Sequence, residues 1–78
     1  MKQLVLQDIF LNYLRREHEK TSIATADKMN YIGYIRGFDN QIVILDLEQG
    51  QVMLFKNNII SITSEIQILS EKYKENYD

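Results

Sequence analysis

The sequence predicts a mainly β domain with an N-terminal α-helix, in which five short antiparallel strands form one strongly bent sheet, a small open barrel. Three observations predict it. An apolar stripe at helical spacing runs through residues 6–18. From residue 21 to residue 63 the chain alternates between β-rich segments and turn residues. The longest β-rich segment is interrupted by two glycines, Gly33 and Gly37. With no proline in the chain, no strand is excluded by a missing backbone donor.

Leu6, Ile9, Phe10, Tyr13 and Leu14 fall at i, i+3, i+4, i+7 and i+8, the spacing of one helical face. Asp8 sits in the first turn of this helix and Arg15, Arg16 and His18 gather at its end, each sign where the helix dipole favours it. A short strand follows over 21–26, with Asp27-Lys28 as its turn. The next strand, 29–38, is rich in Tyr and Ile. Glycine inside a strand marks a bulge, a sharp bend or a close backbone approach, so Gly33 and Gly37 predict a strand that bends as those of small barrels do. Tyr31 and Tyr34 point to opposite faces, one toward the core and the other toward the surface or an interface.

Asp39-Asn40 gives a turn. Residues 41–46 form a third strand, whose apolar run Ile42-Val43-Ile44-Leu45 implies burial on both faces. Glu48-Gln49-Gly50 is a hairpin connection, 51–56 the fourth strand, Asn57-Asn58 a tight corner and 59–63 the fifth strand. Residues 1–64 make the domain. The tail, 65–78, is polar and charged, and its Ile66, Ile68, Leu69 and Tyr73 suit either a short helix or a frayed end.

Seventy-eight residues are close to the lower limit for a self-sufficient core, and small domains are usually supplemented by disulfides, a metal or a partner subunit. There is no Cys, and His18 is the only histidine, so neither a disulfide nor a zinc site is expected, and no cofactor. Oligomerisation remains. An open five-stranded sheet leaves two strand edges unpaired. The fourth and fifth strands lie at the ends of the sheet order and carry Val52, Leu54, Ile59, Ile60 and Ile62. Pairing one edge with a different edge of the next copy closes into a ring when the rotation permits. No segment has the length of a membrane span and no signal-peptide pattern opens the chain, which predicts a cytoplasmic protein without membrane contact.

The formal charge of −2 runs against general nucleic-acid affinity. It comes from the tail, whose four acids outnumber its two lysines; residues 1–64 carry seven acidic and seven basic side chains. Any RNA site must therefore depend on local clusters. Catalysis is not expected, because no GxxxxGK, GxGxxG or GxSxG pattern occurs and His18 is isolated.

The run Leu6-Gln7-Asp8-Ile9-Phe10-Leu11-Asn12-Tyr13-Leu14-Arg15-Arg16-Glu17 is similar to the N-terminal helix of the bacterial Hfq family, usually written LQDPFLNxLRRE. Gly33 and Phe38-Asp39, with the apolar strand after them, resemble the first Sm motif. Phe55-Lys56-Asn57-Asn58-Ile59-Ile60-Ser61 resembles the second, YKHAIS. The likeness covers about residues 4–64 and identifies the chain as a divergent member of these Sm-like (LSm) RNA chaperones. It implies an Sm-like fold in a homohexameric ring with three RNA-binding surfaces, and a role in bringing small regulatory RNAs to mRNAs in post-transcriptional regulation and stress response. It places a proximal, U-rich site at Gln7, Gln41, Phe55, Lys56 and Asn57. A rim site falls at Asn12, Arg15, Arg16, His18 and Phe38, and a distal, adenine-reading site at Ala24, Lys28, Met29 and Tyr31.

The departures from the family pattern bear on binding. Ile9 replaces a proline that a first helical turn does not require. Gln41 stands where the family has a stacking residue, and Asn57 replaces the histidine of YKH. On the distal side Ala24 offers little surface, Asp27-Lys28 replaces an Asn-Gly turn, and Ile32 replaces a glutamine. Gln7 can both donate to and accept from a base edge, and Lys56, with Phe55 packed beneath it, can reach a base carbonyl or a phosphate. The commoner settings are a solvated helix entry for Gln7, an exposed strand lysine for Lys56 and dipole-complementing charge for the arginines. The rival to an RNA chaperone is a structural or protein-interaction ring that has lost most RNA binding. The ratio of absorbance at 260 and 280 nm after purification at low salt separates the two.

Overall fold

The computed structural model describes residues 6–65. The expectation for Ile66, Ile68, Leu69 and Tyr73 lies outside them, as does most of the proposed tail. The helix α1, Leu6–Arg16, leads into strands β1 (Thr21–Thr25), β2 (Asn30–Phe38), β3 (Ile42–Leu47), β4 (Gly50–Phe55) and β5 (Ile59–Ser64). A single 3-10 turn, Lys56–Asn58, separates the last two strands. All pairings are antiparallel, in the order β4-β3-β2-β1-β5. The two edges are thus β4 and β5, the strands that the sequence places at the ends.

The core is built from Leu11 and Leu14 of the helix and Ile23, Ile35, Val43, Leu45 and Leu54 of the sheet. Fully burying a leucine of this kind stabilises a fold by about 1.5–3 kcal/mol. The helix is turned slightly from the expected stripe. Leu11 and Leu14 are its most buried residues, flanked by Phe10 and Tyr13, whereas Leu6 is exposed. The inward row therefore reads 7, 10, 11, 14, which sets Gln7 at the outer end of the core-facing side.

α1 stops at Arg16, two residues short of the expected end, through a tight cap. The Glu19 N–H donates to the Leu14 carbonyl (3.0 Å) and the His18 N–H to the Arg15 carbonyl (3.3 Å), with His18 at φ 54°. This is the Schellman arrangement, with histidine in the left-handed position where glycine is usual.

Each glycine expectation for β2 finds a different cause. A methyl group on Gly33 would lie 2.1 Å from the backbone oxygen of Asp46, so β2 and β3 approach too closely there for any side chain. At Gly37 there is space, but the β2–β3 register slips between Ile35 and Gly37, a bulge that bends the strand. β3 departs from expectation. Val43 and Leu45 are buried but Ile42 and Ile44 only half so, because a single sheet with one helix covers one face of the strand. Tyr31 packs against the core, while Tyr34, on the other face, stacks on the ring of His18.

Strand ends shift by a residue or two, each for a local reason. Gln41 is held in the turn before β3, Gly50 already pairs with Leu47, and Lys56 belongs to the 3-10 turn.

Candidate nucleic-acid interface

Gln7, Gln41, Phe55, Lys56 and Asn57, the five residues expected on the proximal face, line one cleft of about 460 Å³ together with Asn40. They come from three separate parts of the chain: the helix start, the β2–β3 turn and the junction of β4 with the 3-10 turn. Asp39 shapes the middle part. Its carboxylate accepts from the N–H groups of Gln41 (2.8 Å) and Ile42 (2.9 Å). Its own N–H donates to the Ile42 carbonyl at 3.0 Å. These bonds from Gln41 and then Ile42, aided by the charge of Lys56, hold the Asp39 carboxyl below its ordinary value. The Lys56 N–H then donates to the Gln41 carbonyl (2.8 Å), which locks this turn to the 3-10 turn.

The Lys56 side chain is only 12% exposed and its Nζ lies 3.0 Å from Asp8 Oδ1. Beneath it lies the ring of Phe38, 5.2 Å from Nζ, and not Phe55 as expected; Phe55 is 55% exposed. β4 ends at Phe55 and Lys56 opens the 3-10 turn, which directs its side chain away from Phe55 and toward the helix and Phe38. Phe38, expected at the rim, thus lies under a residue of the cleft without lining the cleft itself. An ammonium with one of its three donors on Asp8 keeps two for an incoming acceptor. Around it the amides of Gln7, Asn40, Gln41 and Asn57 each donate and accept, the pattern needed to read an exposed base edge. Asn40 was not singled out in the sequence; its place beside Gln41 in the Asp39 turn was the available signal.

A second cleft, about 300 Å³, shares Gln7 and Lys56 with the first and continues into apolar walls from Leu6, Phe10, Leu11, Ile59, Ile60 and Ile62. It runs along β5, an open edge on which Ile60 is 70% exposed.

At the helix end, the Nη2 of Arg15 donates to Asn12 Oδ1 at 2.7 Å, which fixes the direction of the guanidinium. Arg16 lies 3.7 Å from the Glu17 carboxylate, and both are exposed. The rings of His18 and Tyr34 are nearly parallel, 9° apart, with centroids separated by 4.2 Å. Asn12, Arg15, Arg16 and His18 therefore share one end of the helix, and Tyr34, the tyrosine on the outer face of β2, joins them.

The expected distal residues do not form one surface. Tyr31 stands on the core face of β2, whereas Ala24 is on the outer face of β1, because side chains alternate and Ala24 pairs with Asn30. Lys28 and Met29 sit in the β1–β2 turn. This turn is closed by bonds from the Lys28 N–H to the Thr25 carbonyl and from the Thr25 N–H to the Met29 carbonyl, each 3.0 Å. Lys28 takes φ 68°, the left-handed value that favours glycine. Ile32 is exposed beside Tyr34. Among the described residues no helix is long and apolar enough to cross a membrane.

Comparison with known proteins identifies the family. A relative in Pelotomaculum thermopropionicum, called RNA-binding protein Hfq, is 38% identical over 73 residues, 94% of this chain and 87% of that protein. One of the same name in Moorella thermoacetica is 42% identical over 57 residues, 73% of this chain and 68% of its own length. In fold, a crystal structure of the pleiotropic translational regulator Hfq superposes with a TM-score of 0.73 at 20% identity, covering 76% of this chain and 98% of that one. Residues 6–70, which contain α1, all five strands and every residue of the proximal cleft, match the family described as Hfq protein. The chain therefore belongs to the Hfq family, and its Sm-like sheet carries the family's helix and second-motif residues in contact with one another.

Proposed function

We propose that this protein binds single-stranded RNA as a ring of identical subunits, taking U-rich segments in the cleft of Gln7, Gln41, Lys56 and Asn57. The observation that carries the proposal is the convergence of those four side chains, from three segments, around one ammonium group oriented by Asp8. Uracil offers two carbonyls and an N–H, which suit one cation and flanking amides. The names of the relatives support RNA as the ligand class. The ring joins the β4 edge, with its exposed Met53 and Phe55, to the β5 edge and its exposed Ile60 in the next copy, most simply with six subunits. Acting by binding and not by catalysis, in the cytoplasm, the ring brings small regulatory RNAs to their mRNA partners.

The test is a comparison of U-rich, A-rich and unrelated RNA of equal length across a range of salt, with native mass spectrometry of the same preparation. A preference for the U-rich oligomer that persists as salt is raised is expected. Equal affinity for all three, with one common salt slope, would reduce the interaction to charge alone and overturn the U-rich assignment. A stable folded monomer at micromolar concentration would overturn the ring.

A further inference from the structure

We propose that Thr25 and Asp27 position the RNA cleft from outside it: the β1–β2 turn that they close holds one end of the Lys56–Asn58 turn, and with it Asn57, in place for a base. This rests on the RNA-binding reading above but names residues that do not line the cleft. Thr25 ends β1 and is buried, an uncommon place for a hydroxyl. All three of its polar groups close the β1–β2 turn. The hydroxyl donates to the Asp27 carboxylate, the N–H donates to the Met29 carbonyl at 3.0 Å, and the carbonyl accepts from the Lys28 N–H at 3.0 Å. Ala26, between Thr25 and Asp27, donates its N–H to the Asn58 carbonyl at 2.8 Å. That contact depends on an irregularity. The β1–β5 register shifts between Ala24 and Thr25, which sets Thr25 opposite Ile59 and so brings Ala26 to the 3-10 turn.

The 3-10 turn is thus held at both ends. The Lys56 N–H is anchored on the Gln41 carbonyl at 2.8 Å, the Asn58 carbonyl on Ala26, and Asn57 is suspended between them. A single 3-10 turn has few bonds of its own, so outside anchors set its position. The Gln41 anchor belongs to the cleft, whereas the Ala26 anchor belongs to the β1–β2 turn. Loss of the Thr25 hydroxyl or of its acceptor loosens that turn and the Ala26 N–H with it. Asn57 then meets a base over a wider range of angles, and a hydrogen bond weakens steeply away from its best geometry. Thr25 and Asp27 are positioning residues, and neither touches RNA.

The test uses three variants of the full chain. Thr25→Val keeps the branched shape and removes the hydroxyl, Thr25→Ser keeps the hydroxyl, and Asp27→Ala removes the acceptor from an exposed position. Affinities for a U-rich oligomer and for an unrelated oligomer of equal length are measured, together with amide exchange at Ala26. In Thr25→Val and Asp27→Ala the preference for the U-rich oligomer should fall by about threefold or more, the scale of one ordinary hydrogen bond, and the Ala26 amide should exchange faster. Thr25→Ser should keep the preference within about twofold of the unaltered protein. A protein that is only less stable loses both oligomers in proportion to its folded fraction, which leaves their ratio unmoved. An unmoved ratio or an unmoved Ala26 amide in either damaging variant would overturn the positioning role while U-rich binding stands, as would equal losses in Thr25→Ser and Thr25→Val. Where Thr25→Val fails to fold, Asp27→Ala decides alone. Absence of U-rich preference in the unaltered protein would overturn the proposed function, and this role with it.

Discussion

Lys56 Nζ meets Asp8 Oδ1 at 3.0 Å, joining the first turn of the helix to the 3-10 turn 48 residues later. The pair sets the height of the ammonium in the cleft and ties Gln7, the neighbour of Asp8, to the same position. With Asp8 38% exposed, its contribution to folding is modest, about 0–1 kcal/mol. Its importance lies in placing a charge.

Replacement of Lys56 by alanine should therefore separate binding from stability. Affinity for a U-rich oligomer is expected to fall by about tenfold or more, as a charge-assisted hydrogen bond is lost. The oligomer and its thermal midpoint should change little. Fluorescence anisotropy and native mass spectrometry on the same sample check both halves, and unchanged U-rich affinity would move the site elsewhere.

Asp39 makes the turn pH-sensitive only in acid. Its carboxyl lies below the ordinary 3.8 because the N–H groups of Gln41 and then Ile42 bind the ionised form. A carboxyl lowered on folding contributes stability that is fully present above its unfolded value and is lost as pH falls through the lower folded value. The turn should thus hold at neutral pH and loosen only below about 3.8. Asp39→Ala should loosen it at every pH, seen as faster amide exchange at Gln41 and Ile42. Amide protection identical to that of the unaltered protein would contradict this.

Gly33→Ala should be among the most damaging single-methyl changes in the chain. The added carbon would meet the backbone oxygen of Asp46 at 2.1 Å, and backbone cannot rotate away as a side chain can. A loss of roughly 3 kcal/mol or more is expected from forced separation of β2 and β3. Gly37→Ala, where nothing lies within 4 Å, is the matched control. Urea midpoints of the two variants give the comparison.

The β1–β2 turn predicts weak adenine recognition. Ala24 gives little to stack on, Ile32 cannot pair with a base edge, and Tyr31 is turned to the core. An oligoadenylate should bind less tightly than a U-rich oligomer of equal length at physiological salt, and its affinity should fall steeply as salt rises. Lys28→Gly should raise stability by roughly 0.5–1 kcal/mol, since relief of the left-handed strain exceeds the added flexibility of the unfolded chain. Tight adenine binding that survives added salt would count against this account of the face.

Much of this structure was legible from residue order alone. The helix, the five strands and the two open edges follow from periodicity and turn residues, and the family motifs point to five of the six residues that line the cleft, all but Asn40. Contacts that depend on long-range geometry were not legible. Phe38, not Phe55, supports Lys56, because a 3-10 turn redirects the lysine after β4. His18 looked like a third cation at the helix end, yet its left-handed cap lays it flat on Tyr34, sixteen residues away. Tyr31 was grouped with Ala24 through the distal site that the resemblance implies, although the register puts them on opposite faces.

The two open edges are not alike: one is β4 with Met53 and Phe55, the other β5 with Ile60. In the proposed ring, subunits joined β4 to β5 all point the same way around the circle, nose to tail like arrows. Every cleft then opens on the same side, and each offers Gln7, Lys56 and Gln41 in the same sense of rotation. An RNA strand also has a sense, from 5′ to 3′. A strand travelling one way around the circle meets the same groups in the same sequence at each subunit, while a strand travelling the other way meets them reversed. Such an assembly would tell the two ends of an RNA apart through its own vectorial order, before any base is read.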